Sequence, residues 1–216
     1  MTASRRYPAD ADALRFWQAN AALALVPWAV SLGISIYAFG SEQRAVHLLR
    51  LLPLGPRRLF LAKVIAALAP VVILSELIAL VVAVATGGGW REVAGMALLV
   101  AWGSCGFVTI DTAAAAFAPN FEADHIQRST DLVGRAFGMI AGAAFGLVSA
   151  VAVARVIFFA GGVPTSLQST FAWEIAGLHP LGWPLAVGAA LTALAILALV
   201  VTIAVDRLRD LILNGP

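Results

Sequence analysis

The chain has 216 residues, of which 61% are hydrophobic and 12% are charged, and its mean hydropathy is +0.92. This leaves too little polar surface for a soluble globule but enough apolar sequence for several bilayer spans, so we predict an all-α, polytopic membrane helix bundle. The formal net charge is +2, and the arginines cluster at segment ends, which indicates membrane topology rather than nucleic-acid binding. A single cysteine, Cys105, excludes an intrachain disulfide and a cysteine-rich metal site.

The apolar segments divide the chain into about five predicted transmembrane helices within one domain, residues 1–216. Residues 1–17 form a polar amino-terminal segment that does not resemble a signal peptide, because acidic residues precede the apolar run and no small-residue cleavage site follows it. Each segment is long enough to cross a hydrocarbon core of about 30 Å. The predicted spans are residues 20–39, 64–86, 93–117, 132–160 and 181–205.

Residues 41–58, between the first two predicted spans, are predicted to form an amphipathic elbow. Within residues 42–52 the apolar side chains recur at i, i+3, i+4 and i+7, as in a helix that lies along a surface. Pro53 and Gly55 end this helix, and Pro56 is well placed to begin the next one. Because Arg57 and Arg58 lead directly into an apolar run, we expect the elbow at the headgroup level on the cytoplasmic side. The alternative is a charged loop that only fixes topology.

The cations beside the predicted spans give the orientation. With the elbow in the cytoplasm, nine of them lie on that side and only Arg91 lies in an outer loop. Five spans would place the amino terminus outside, together with Arg5, Arg6 and Arg15. Either the first apolar segment re-enters or crosses only part of the membrane, or the chain is the later part of a longer protein. The nine cytoplasmic cations are Arg44, Arg50, Arg57, Arg58, Lys63, Arg128, Arg135, Arg207 and Arg209.

Three ionisable residues fall inside the apolar segments, where charges are candidates for function by default. Together with Glu76, Asp111 and Arg155 are the candidate residues of a polar pathway. Asp111 lies near the cytoplasmic end of the third span and Arg155 near the outer end of the fourth, so both are within reach of the headgroups. Glu76 lies about 18 Å along the second span from its start. We predict that Glu76 lines a polar pathway or pairs with Arg155; the alternative is a hydrogen-bonded or protonated structural carboxyl.

Glycines recur every four residues in the fourth span and predict a flat stripe where another helix packs closely, within the chain or between subunits. The alternative is that glycine is simply common in membrane helices. The stripe consists of Gly134, Gly138, Gly142 and Gly146.

No motif for catalysis or nucleotide binding is present. The chain lacks a phosphate-loop sequence, so any ATP must be bound by another subunit. The three histidines lie far apart in separate connections, which excludes a metalloprotease cluster. Ser104 has no histidine at matching depth, so an intramembrane serine protease is not indicated. We therefore predict no catalytic, cofactor or metal site in this chain.

Two motifs resemble a known family. EQRAVHLLRLLPLGPRRLFLAK, residues 42–63, resembles the segment of bacterial ABC-2-type exporter permeases in which a glutamate, a Leu-Leu-Arg…Pro-Leu…Arg-Arg core and a lysine precede a transmembrane helix. FAPNFEAD, residues 117–124, is similar to the Pro-Asn-Phe and acidic turn that these permeases carry after a later span. The two motifs are separated by about two helices, as the resemblance requires.

The resemblance implies a permease subunit in the bacterial cytoplasmic membrane that couples ATP hydrolysis to export. It also implies a separate ATP-binding subunit, which binds ATP and Mg²⁺, and a second permease copy or paralogue. Many relatives are longer, and Gly55 stands where serine is common, so the chain resembles a half-sized or truncated member. The alternative is a membrane scaffold that anchors a soluble cytoplasmic partner. The residues assigned to coupling are Glu42, Arg44, Arg50, Pro53, Arg57, Arg58 and Lys63.

Overall fold

The computed structural model describes residues 23, 25–35, 38–39, 55–87, 90–119, 130–159 and 182–214. Four helices contain stretches long and apolar enough to cross a membrane: Pro56–Ala85, Val93–Phe117, Leu132–Val153 and Pro184–Ile212. The chain is therefore a multi-pass helical membrane protein, as the composition predicts. Its helices are α1 (Val26–Ile34), α2 (Pro56–Ala85), α3 (Trp90–Phe117), α4 (Leu132–Phe159) and α5 (Gly182–Asn214).

The prediction of a full span over residues 20–39 is wrong in its carboxy-terminal part. Helix α1 is described over nine residues, Val26–Ile34, and residues 20–22 and 24 of the predicted span lie outside the described part of the chain. Pro27 lies in its first turn, where a missing backbone N–H costs nothing. The helix ends at Ser35, and Ala38 and Phe39 form a turn. Within the described residues the long apolar helices therefore number four.

The other helix boundaries agree with the apolar segments, with two extensions. As predicted, Pro56 begins a helix, but this helix is α2 itself, so Arg57 and Arg58 belong to its first turn. Helix α5 continues to Asn214, past the predicted end at residue 205. It continues because its last turns are amphipathic: Leu208 is 4% exposed, whereas Asp206 and Arg209 face outward.

Helix α3 lies at the centre of the bundle and packs against the other four helices. Small side chains allow this, since four consecutive alanines from Ala113 to Ala116 are fully buried. Gly106 of α3 likewise lets α4 come close. A Cβ atom at this position would overlap the ring of Phe145 on α4, so only glycine leaves room for that ring. Phe145 also meets Phe107 edge to face, with 5.4 Å between ring centroids.

The contacts with α3 define the direction and level of its neighbours. Pro27 packs near Gly103, and Ser31 contacts Asp111. From the first contact to the second, the residue number increases in α1 and also in α3. Helix α1 therefore runs in the same direction as α3 and lies beside its carboxy-terminal half.

Helix α2 runs antiparallel to α3. Ala79 and Ala83 share a hydrophobic cluster with Met96 and Val100. Val71 shares another cluster with Val108. This register places residue 75 of α2 level with residue 104 of α3, and it gives the depth of every polar group on α2.

Candidate functional site

The described cationic side chains gather at one end of the bundle, which we call the basic end. Helices α2 and α4 begin there and α3 and α5 finish there, because consecutive long helices alternate in direction. Leu59 and Phe60 share a hydrophobic cluster with Val205 and Leu208, which brings the start of α2 to the end of α5. Three carboxylates, those of Asp131, Asp206 and Asp210, share this end. Its six cations are Arg57, Arg58, Lys63, Arg135, Arg207 and Arg209.

The predicted elbow is flanked by residues of the basic end. Phe39 is 1% exposed, and Nζ of Lys63 lies 6.0 Å from the centroid of its ring, within cation–π reach. Gly55 precedes α2 at the same end. Residues 40–54 lie outside the described part of the chain, and with them the coupling residues Glu42, Arg44, Arg50 and Pro53.

Arg57 and Arg58 occupy an electrostatically unfavourable position. Both are exposed in the first turn of α2, which holds no acidic residue. A helix amino terminus carries a partial positive charge, so a cation there is disfavoured by about 0.3–1 kcal/mol. Helix stability therefore does not account for these arginines, whereas an anionic surface beside the basic end would compensate them.

The structure encloses Asp111 inside the bundle, with its side chain 1% exposed. The Ser31 hydroxyl donates to Oδ2 of Asp111 over 2.5 Å. The other carboxylate oxygen faces α4, since a Cβ added at Gly138 would lie 3.9 Å from Oδ1. The expectation that Asp111 reaches the headgroups is wrong, because α1 and α4 cover it. No cation among the described residues pairs with it.

Further hydroxyl groups line the interior. Ser75, Ser104 and Thr112 are fully buried, and their oxygens have no hydrogen-bond partner among the described residues. The register places Ser75 level with Ser104. Sequence reasoning missed Ser31, although the four-residue spacing of Ser31 and Ser35 within an apolar segment was a readable sign of a polar helix face.

Glu76 lines a groove of about 350 Å³ between α2 and α3. It is level with Gly103, about 3 Å along the axis from the midpoint of the span Val93–Phe117. Every other residue that lines the groove is apolar, so the groove differs from the polar pathway that the sequence predicts. These apolar residues are Ile73, Leu77, Ala79, Leu80, Ala83, Val93, Met96 and Ala97.

The predicted pair of Glu76 and Arg155 stays a prediction, because the structure describes only the backbone of Arg155. Helix α2 packs on α1, α3 and α5, whereas α4, which carries Arg155, packs on α3 and α5. The contact between Trp102 and Ser149 sets the register of α3 and α4. By this register, the backbone of Arg155 lies about 10 Å further from the basic end than that of Glu76. The Arg155 side chain is outside the described residues.

The glycine stripe of α4 faces α3 and α1 of the same chain. A Cβ at Gly134 would lie 2.8 Å from the carbonyl oxygen of Ala114, and one at Gly138 would lie 2.8 Å from the Ala114 Cβ. Added Cβ atoms at Gly142 and Gly146 would each find their nearest neighbour at 3.6 Å. The two glycines nearest the basic end therefore carry the closest helix contact.

No protein-family model, curated protein or solved structure matches this chain. The resemblance to ABC-2-type permeases thus stays a prediction. Of its second motif the structure describes residues 117–119, where Phe117 stacks on Phe137 with ring centroids 4.9 Å apart. The described residues contain no group of three side chains able to hold a metal ion.

Proposed function

We propose that the chain is the permease subunit of an ABC-2-type exporter in a bacterial cytoplasmic membrane. A separate ATP-binding subunit binds ATP and Mg²⁺, and a second permease copy or paralogue completes the complex. One observation carries the proposal. Phe39, just before the segment that resembles the coupling elbow, and Gly55, within that segment, both lie at the basic end, and positively charged residues are typical of the cytoplasmic side of membrane proteins.

The mechanism that this arrangement supports is mechanical. Arg57 and Arg58 belong to the same continuous helix as the rest of α2, which is 30 residues long, about 45 Å at helical rise. Leu59 and Phe60 anchor its start in the hydrophobic core. Displacement of the elbow by the ATP-binding subunit would therefore act on α2 as on a lever and tilt it. Pro70 removes one backbone hydrogen bond within α2 and offers a point where the helix can bend.

Charge reversal of the first turn of α2 tests the proposal. In proteoliposomes that also contain the proposed ATP-binding subunit, Arg57→Glu with Arg58→Glu should abolish transport-coupled stimulation of ATP hydrolysis. The matched control is Arg207→Glu with Arg209→Glu, which makes the same charge change at the basic end but on α5. We expect the control to retain most of the stimulation. Unchanged partner binding and unchanged stimulation in the first variant would defeat the lever mechanism.

The second candidate function is a membrane scaffold that anchors a soluble cytoplasmic partner. The exposed Arg57 and Arg58 favour it equally, because they require an anionic partner but not a transported substrate. The scaffold predicts partner binding without ATP-dependent flux of any solute. The exporter hypothesis predicts that partner binding and ATP-dependent flux are lost together in the variant Arg57→Glu with Arg58→Glu.

A further inference from the structure

We propose that the groove between α2 and α3 binds hydrophobic cations, molecules with an apolar body and one positive charge, and that Glu76 is their counter-charge. The binding itself does not depend on the exporter assignment. If that assignment holds, hydrophobic cations are the substrate class that the permease accepts from the membrane.

The groove combines an apolar wall with one carboxylate at mid-membrane depth. Its volume of about 350 Å³ falls in the range of small-molecule sites. Ile73, Leu77 and Leu80 from α2 face Val93, Met96 and Ala97 from α3 across it. The Met96 side chain has an adaptable thioether that can adjust to ligands of different shape. A carboxylate in hydrocarbon is costly, so Glu76 needs a partner at this depth.

The described part of the chain supplies no positive partner for Glu76. The nearest described cation along α2 is Lys63 at the basic end, about 20 Å away at helical rise. Among the described residues, no ion pair or hydrogen bond involves the Glu76 side chain. A cation that enters the groove would supply a compensating charge at the depth of Glu76.

Two other occupants match the groove less well. A second copy docked through the same face about a two-fold axis would bring two Glu76 carboxylates together, and like charges repel. A phospholipid would fill the volume with its chains, but its headgroup would remain about 15 Å away at the interface. A hydrophobic cation satisfies the apolar wall and the carboxylate together.

Two probes of the same shape and opposite charge test the proposal. We would measure binding of tetraphenylphosphonium and of tetraphenylborate to the purified full chain in phosphatidylcholine nanodiscs. Wild type should bind the cation saturably, and Glu76→Gln should weaken this binding about tenfold or more. Binding of the anion should not weaken. Asp206→Asn, which removes an exposed carboxylate outside the groove, is the control and should leave cation binding unchanged.

Ala97→Phe provides an independent variant, because it fills the groove and leaves Glu76 in place. It should lower tetraphenylphosphonium binding even if Glu76→Gln does not fold. Thermal unfolding and gel filtration establish that each variant is intact. The proposal is overturned if an intact Glu76→Gln binds the cation as wild type does. If Glu76→Gln does not fold, the proposal is overturned when an intact Ala97→Phe binds the cation as wild type does. A stronger dimer in Glu76→Gln with no cation binding in wild type would identify a second copy as the occupant and also overturn it.

This experiment uses neither nucleotide nor the ATP-binding subunit. Loss of coupling in the Arg57 and Arg58 variant, without loss of tetraphenylphosphonium binding, leaves the groove proposal standing. Binding without any ATP-dependent flux leaves the groove standing and removes the exporter.

Discussion

Asp111 illustrates how the meaning of one residue depends on its contacts. It lies six residues before the end of α3, a position from which a side chain can extend to the headgroups. In the bundle it instead accepts a hydrogen bond from Ser31, and α4 closes over its other oxygen at Gly138. A buried polar group without a partner destabilises a fold, so the Ser31 hydroxyl is central to the stability of this region.

Ser31→Ala should therefore destabilise the protein by about 1–3 kcal/mol, because it removes the only described hydrogen bond to a buried carboxyl group. The measurement is thermal or denaturant-induced unfolding of the purified chain in detergent. Ser35→Ala is the matched control one turn further along α1. Its hydroxyl lies 3.3 Å from Ser31 and makes no described bond to Asp111, so the loss should be smaller. Equal effects of the two variants would contradict this role for Ser31.

At the scale of elements, the α3–α4 interface depends on glycines, which have no side chain and so let the two helices come close. Glycines on α4 let α3 approach, and Gly106 on α3 accepts the ring of Phe145. Trp102 Nε1 donates to Ser149 Oγ over 3.1 Å and joins the two helices at their other half. Close packing and interhelical hydrogen bonds replace the hydrophobic effect in holding membrane helices together.

The glycine stripe should respond unequally to alanine. Gly134→Ala would push a methyl group against the Ala114 backbone and should cost about 1–3 kcal/mol. Gly146→Ala meets only the Phe107 ring at 3.6 Å and gains helix propensity, up to about 1 kcal/mol, so it should be neutral or stabilising. Unfolding midpoints in detergent compare the two variants. A similar loss of stability in both variants would contradict the closer packing of α3 and α4 at Gly134 than at Gly146.

At the scale of the whole molecule, charge asymmetry and helix direction define an orientation. The six described cations lie at the basic end, and the turn at Thr86 and Gly87 lies at the other. The positive-inside rule predicts that the basic end faces the cytoplasm. The elbow flanks, the arginines of α2 and the end of α5 would then be accessible to a cytosolic subunit.

Single cysteines test this orientation. In a Cys105→Ser background, Thr86→Cys should react with a membrane-impermeant maleimide added to spheroplasts, because its turn faces outward. Arg58→Cys should react only after permeabilisation. The reverse pattern would place the basic end outside and remove the docking surface on which the exporter and scaffold proposals both depend.

The sequence by itself determined the class of protein, the four long spans and the start of α2 at Pro56. Hydropathy and proline chemistry are local properties that need no tertiary contacts. Only the tertiary structure decided that α1 ends at Ile34, that Asp111 is enclosed, that the glycine stripe faces α3, and that Glu76 borders an apolar groove. The spans are apolar around most of their circumference, so periodicity does not show which face packs. That choice depends on contacts between helices far apart in the chain, such as the one from Ser31 to Asp111.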